Sequence, residues 1–160
     1  MEKARIIELK ETILEDNDAD AENLRRELHD KKICLLNLMS SPGSGKTSTL
    51  LALQPYFEGK LQWGVMVADI DSDVDANTML QSGIPSIQLH TGGMCHLDAD
   101  MTRQGIKAFG QDLLDFIVLE NIGNLVCPAE FDTGAHINMT ILSVPEGDDK
   151  PAKYPLMYQV

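Results

Sequence analysis

From residue 32 onward, short apolar runs alternate with stretches in which apolar residues recur every three or four positions. Ile33-Cys34-Leu35-Leu36-Asn37-Leu38-Met39 is almost continuously apolar, as in a strand buried on both faces. Ser40 to Gly45 then reads as a turn, and Lys46 to about Phe57 as a helix. Val65 to Ala68 predicts a second strand ending at Asp69, followed by a helix from Asp75 to about Gln81. Pro85 to Leu89 is a short third strand, and Leu97 to Phe109 is again helical. Phe116 to Leu119 predicts a fourth strand ending at Glu120, and Met139 to Val144 a fifth. Strands alternating with helices imply right-handed crossovers and a mostly parallel sheet, so the expected class is α/β.

Residues 1–31 are different. They are strongly charged, with Ile6, Leu9 and Ile13, and Ile7 and Leu14, at helical spacing. Leu24 and Leu28 repeat that spacing after the polar break Asp16-Asn17-Asp18. The expectation is an amphipathic helical segment of one or two helices, packed onto the domain or serving as a partner-docking arm. Residues 32–160 form the main domain.

Composition narrows the class. A chain of 160 residues fits one domain, and a core of that size needs no disulfide staple. The net charge of −12 opposes non-specific binding to nucleic acid or anionic lipid, both polyanions. Three cysteines are too few and too odd for a secreted disulfide framework, and there is no apolar run of membrane-spanning length. The expected setting is cytoplasmic, without nucleic-acid or membrane partners.

The candidate chemistry gathers where strands end. Ser40-Ser41-Pro42-Gly43-Ser44-Gly45-Lys46-Thr47 lies between a buried strand and a helix, with Ser40 at the first position of the phosphate-loop pattern G-x-x-x-x-G-K-[ST]. Gly43 and Gly45 let successive N–H groups point at phosphate oxygens, with Ser44 and Ser48 beside them. Lys46 would reach the β and γ phosphates, and Thr47 would offer its hydroxyl to Mg²⁺. Asp69 ends the neighbouring strand, where a magnesium ligand belongs. Asp75, and more weakly Asp71 and Asp73, follow it. Glu120 with Gly123 three residues later suits a sensor of the γ-phosphate.

A second group is Cys95-His96 and Cys127, whose residue types suit Zn²⁺ or Ni²⁺. Three ligands do not close a tetrahedral shell, but a symmetric dimer can share them across its axis. The alternative is that Cys127 is a small buried hydrophobe and His96 a helix-cap residue. Cys34 reads as core. His90 and His136 are possible further ligands, with a loop histidine as the default.

Several segments are recognisable. SSPGSGKT (40–47), Thr91-Gly92 with Cys95-His96-Leu97-Asp98-Ala99, ENIGNLVCPAE (120–130) and ILSVPEGDDKPAKY (141–154) resemble the HypB family of hydrogenase nickel-incorporation GTPases. The resemblance runs from about residue 32 to the end, and its second and third segments are far more specific than the phosphate loop. It implies a three-layer phosphate-loop NTPase fold and a GTP-hydrolysing metallochaperone that dimerises when GTP-loaded. It also implies partners: a hydrogenase maturation protein and the large subunit of a nickel-iron hydrogenase. Carried over, Lys46, Asp69 and Glu120 are catalytic. Gly43 to Ser48 bind nucleotide, and Thr47, Asp69, Asp75 and Glu120 surround Mg²⁺. Cys95, His96 and Cys127 match the family's Ni²⁺ or Zn²⁺ site.

Three departures stand out. The Cys-rich or His-rich N-terminal extension of some members is missing, and position 93 is Gly where many have Lys. No Asn-Lys-x-Asp tetrapeptide, the family's guanine reader, occurs. The expectation is therefore a domain lacking its last strands and helices, with the strand at Met139 to Val144 on an unprotected edge. Such a form could instead be a non-catalytic metal-binding dimer. An ATP-dependent kinase would explain the phosphate loop but neither cysteine segment.

Overall fold

The computed structural model describes residues 2–9, 16–70, 72–110 and 114–160. Ile13, Leu14 and Asp71 lie outside these residues. The described chain contains a six-stranded sheet in the order β1-β4-β3-β5-β2-β6, and every neighbouring pair is parallel. The strands are β1 (Arg5–Glu8), β2 (Cys34–Ser40), β3 (Trp63–Asp69), β4 (Ser86–His90), β5 (Phe116–Glu120) and β6 (Ile137–Ile141). The α/β expectation holds.

Consecutive residues of the central strands serve opposite faces. Leu35, Met66, Ile117 and Leu119 join a core with Leu24, Leu28 and Met101. Leu36, Leu38, Val65, Val67 and Val118 join a second core with Leu50, Ala76 and Met79. Helices α1 (Asn17–Asp30) and α4 (Ala99–Ala108) cover the first face, and α2 (Lys46–Phe57) and α3 (Val74–Gln81) the second. The layers are helix, sheet, helix.

Residues 5–8 correct the helical reading of the N-terminal segment. Arg5 to Glu8 form a parallel strand against Ile87 to His90, and Leu9 N–H continues the pairing to the His90 carbonyl at 3.0 Å. Two adjacent β-branched residues, Ile6 and Ile7, suit extended backbone, and the open edge of β4 gives that backbone its partners. Over so short a window, helical and strand spacing cannot be told apart. The second half of the segment is helical, as the spacing of Leu24 and Leu28 requires. Asp16 caps α1 by accepting from Ala19 N–H, and Arg103 of α4 grips Asp20 through two hydrogen bonds of 2.8 and 2.9 Å.

The fifth anticipated strand is shifted. β6 ends at Ile141, and Val144–Glu146 form a 3-10 turn, because Pro145 and the Ser143/Glu146 capping box bend the chain there. β6 is an edge, with Ile137 and Met139 each 46% exposed. The short helices α6 (Lys150–Lys153) and α7 (Pro155–Tyr158) follow, and the Met157 carbonyl accepts from the Thr140 hydroxyl at 2.6 Å. No helix among the described residues is long and apolar enough to cross a membrane.

Candidate functional site

In an open parallel sheet, ligands settle beyond the carboxyl ends of the strands. Ser40, Asp69, His90 and Glu120 end β2, β3, β4 and β5 here. Residues 41–45 link β2 to α2, and Gly43 (φ 73°) and Gly45 (φ 101°) adopt left-handed backbone that side chains disfavour. No side chain caps the N-terminus of α2, which leaves its first N–H groups for an anion. A cleft of about 300 Å³ opens above them, lined by Gly43 to Ser48, Asp75 and Glu120.

Lys46 is only 9% exposed, and its ammonium donates to the Ser40 hydroxyl at 2.9 Å. Burial lowers its pKa, while Glu120, Asp75, Asp69 and Glu146 oppose that shift. Glu120 is 4% exposed. The Thr47 hydroxyl donates to its Oε1 at 2.7 Å, while Oε2 is buried with no hydrogen-bond partner. Burial pushes the Glu120 carboxyl up to about 7, against the pull of the Thr47 hydroxyl and Lys46; Asp75 and Asp69 push it further up. An orphaned carboxylate oxygen beside a threonine hydroxyl offers hard oxygen donors of the kind Mg²⁺ takes, with Asp75 and Asp69 near enough to act on Glu120 through their charge. Asp69 accepts from Ser72 N–H at 3.1 Å, and Asp75 lies in the first turn of α3.

The loop after β5 presses directly on the phosphate loop. A Cβ at Gly123 would stand 2.9 Å from Pro42 Cα, so only glycine allows this approach. Next to it, Asn124 N–H donates to the Ser40 carbonyl at 3.0 Å. The Asn124 side-chain oxygen accepts from Val126 N–H at 2.7 Å and Cys127 N–H at 3.1 Å, where the short helix α5 (Cys127–Glu130) begins.

Cys127 and Cys95 are both free and half-buried, and their thiols interact. Hydrogen bonding with the Cys95 thiol is the main cause that raises the Cys127 pKa, followed by burial. The His96 ring stacks on Phe131, with centroids 3.7 Å apart and planes 12° from parallel. Among the described residues no three His, Cys, Asp or Glu side chains are already arranged to hold a metal ion. The other two candidate histidines are engaged. His90 pairs with Glu8 at 2.8 Å, and His136 accepts from Leu35 N–H and contacts the Arg25 carbonyl.

Sequence reasoning gave no role to Asn124, Ser41 or Glu146. The Ser41 hydroxyl donates to Glu146 across the site. Two signals were present in the chain: an Asn just before a Cys-Pro helix start, and Ser143-x-x-Glu146 as a capping box.

A model of the CobW/HypB/UreG nucleotide-binding domain matches residues 34–144. The hydrogenase/urease maturation factor HypB of Helicobacter hepaticus is 39% identical over 156 residues, covering 95% of this chain and 64% of that one. The hydrogenase maturation factor HypB of Escherichia coli K12 is 39% identical over 158 residues, covering 99% and 54%. The chain thus spans between about half and two thirds of these relatives' length. Among solved structures, HypB from Helicobacter pylori in complex with nickel superposes with a TM-score of 0.83 at 38% identity, covering 89% of this chain and 67% of that one. The hydrogenase maturation factor HypB of Archaeoglobus fulgidus gives 0.81 at 34% identity, covering 92% and 71%.

Proposed function

The chain belongs to the CobW/HypB/UreG family of nucleotide-binding domains, and from that premise we propose that it hydrolyses GTP and carries Ni²⁺ or Zn²⁺ for hydrogenase maturation. The observation that carries this reading is the contact set of Asn124, which ties the phosphate loop to the residue that opens the Cys127 helix.

The nucleotide's phosphates lie along residues 43–48, where the N-terminus of α2 and the backbone N–H groups meet their charge. Lys46 leaves Ser40 and turns to the β and γ phosphates. Thr47, Asp69, Asp75 and Glu120 would hold Mg²⁺, which would supply positive charge to the phosphate oxygens. Water attacks the γ-phosphorus as the bond to the β–γ bridging oxygen breaks, giving GDP and phosphate. Glu120 orients that water through Oε2. The protein's part is mostly placement of charge.

The metal is cargo. Cys95 and Cys127 supply two thiolates, which suit Ni²⁺ and Zn²⁺. His96 joins them by leaving Phe131, and a second copy of the chain completes the shell across a two-fold axis. GTP loading favours that homodimer. Release of the γ-phosphate from Glu120 and Gly123 reaches Cys127 through Asn124, so hydrolysis loosens the shared metal. The receiving partners are a maturation protein and the hydrogenase large subunit.

The test is a titration with a fluorescent GTP analogue and Mg²⁺, competed with GTP and with ATP, alongside phosphate release by the wild type and Lys46→Ala. Displacement by GTP in preference to ATP, with hydrolysis abolished by Lys46→Ala, supports the reading. Metal binding without nucleotide binding or hydrolysis replaces it with a metal-binding module, and a preference for ATP replaces it with a kinase-like activity.

A further inference from the structure

The 3-10 turn after β6 reaches into the phosphate loop. Glu146 Oε2 closes its own turn by accepting from Ser143 N–H at 2.7 Å and the Ser143 hydroxyl at 2.6 Å. That satisfies the capping box and uses one carboxylate oxygen. The other oxygen, Oε1, accepts from the hydroxyl of Ser41, 105 positions away in the chain. These bonds hold the Glu146 carboxyl below the usual carboxylate range, those from Ser143 first and that from Ser41 second.

Ser41 is the hub of the phosphate loop. Its carbonyl accepts from the Ser40 hydroxyl and from the Ser44 hydroxyl, both at 2.8 Å. The Ser40 hydroxyl in turn accepts from Lys46. Whatever fixes Ser41 therefore fixes the peptide on which two loop hydroxyls and, through one of them, the lysine are set. The opposite flank of the loop is already backed by Gly123 against Pro42. Glu146 is the brace on the open flank.

A carboxylate beside a triphosphate site carries an electrostatic cost, because like charges repel. Closing a surface turn does not require it to be there; a turn can be capped with its side chain facing water. We infer that Glu146 is a positioning residue for nucleotide binding, which holds the phosphate loop in its receptive shape through the Ser41 hydroxyl. This rests on the reading of residues 40–47 as a nucleotide site and adds a residue to it. Glu146 touches neither nucleotide nor metal and acts through Ser41.

Preorganisation shows in affinity rather than in the chemical step. The experiment measures nucleotide Kd with a fluorescent GDP analogue, and KM and kcat for GTP, in the wild type, Ser41→Ala, Glu146→Ala, Glu146→Gln and the double alanine variant. Each alanine variant is expected to raise Kd and KM about three- to tenfold with kcat within about twofold, because lost preorganisation is charged to binding. The double variant is expected to be no worse than the single ones, since both remove the same bond. Glu146→Gln keeps a polar partner for Ser41 without the charge and is expected to bind as the wild type or tighter. Ser143→Ala, which leaves the Ser143 N–H bond and the Ser41 bond in place, is the control for turn closure and keeps wild-type Kd. Thermal melting of every variant separates loss of fold from loss of affinity. Should Glu146→Ala melt early, Ser41→Ala alone decides the matter, because it spares the turn. Alanine variants that bind as tightly as the wild type, or effects that simply add in the double variant, overturn the inference while leaving the nucleotide site standing. A wild-type chain that binds no nucleotide overturns both.

Discussion

Asn124 N–H donates to the carbonyl of Ser40 at 3.0 Å, joining the loop after β5 to the last residue before the phosphate turn. The same residue's side chain accepts from Cys127 N–H. One asparagine therefore ties the turn proposed to bind phosphate to the Cys127 segment, whose thiol interacts with Cys95. Asn124→Ala keeps the backbone bond and removes the side-chain acceptor of the Val126 and Cys127 N–H groups. Loss of such a hydrogen bond costs about 1 kcal/mol of stability. The expected result is a melting point a few degrees lower and weaker Ni²⁺ or Zn²⁺ binding, with nucleotide Kd little changed. Metal competition with a chromophoric chelator measures it.

Gly123 is the other half of this contact. A methyl group there must displace Pro42, since 2.9 Å to its Cα is closer than real Cβ contacts. Overpacking of this kind costs about 1–3 kcal/mol. Gly123→Ala is expected to weaken nucleotide binding more than metal binding, the reverse of Asn124→Ala. The pair of titrations distinguishes the two ends of the link.

Cys95→Ser and Cys127→Ser each remove one of two sulfurs that already face each other. Either is expected to reduce metal affinity at least tenfold without changing nucleotide Kd. His96→Ala tests a different point. Its ring is stacked on Phe131, so recruitment of His96 has to break that stack. The imidazole NMR signal of His96 is expected to shift on metal addition in the wild type, and to stay where it is in Cys127→Ser.

Glu120 predicts a pH dependence with a definite sign. Burial raises its carboxyl from the ordinary 4.5 to about 7 in the folded chain. The folded state therefore binds more protons than the unfolded state across that interval. The contribution is fully present below about pH 4.5 and is lost as pH rises through about 7, an effect on the order of 3 kcal/mol. In EDTA, wild-type stability is expected to fall relative to Glu120→Gln between pH 5 and 8. Denaturant melts of both chains across that range measure it, and parallel pH profiles would contradict the assignment.

The phosphate loop and the acids at strand ends were legible because each is written in a few consecutive residues. The Gly-x-Gly-Lys-Thr turn needs its own glycines, and a buried strand ending in Asp69 or Glu120 announces its direction. What escaped the sequence is non-local. Arg5 to Glu8 form a strand because β4 offers an open edge, and Ile6 and Ile7 cannot announce an edge so far along the chain. Glu146 looks like a turn residue until the fold sets it against Ser41. Cys95, His96 and Cys127 were grouped by residue type, and the fold brings the two cysteines together while Phe131 holds the histidine. Side-chain direction, rather than proximity in the chain, decides such a site.

The central claim is that nucleotide state and metal affinity are linked through one short stretch, residues 120–127. The most direct test is calorimetric titration of Ni²⁺ into the 160-residue chain, once with Mg²⁺ and GDP and once with Mg²⁺ and a non-hydrolysable GTP analogue. Linkage of the usual size, about 1–3 kcal/mol, predicts affinities that differ about 5- to 150-fold, with the GTP-like state tighter. Equal affinities in the two states, with both nucleotides bound, would contradict the account.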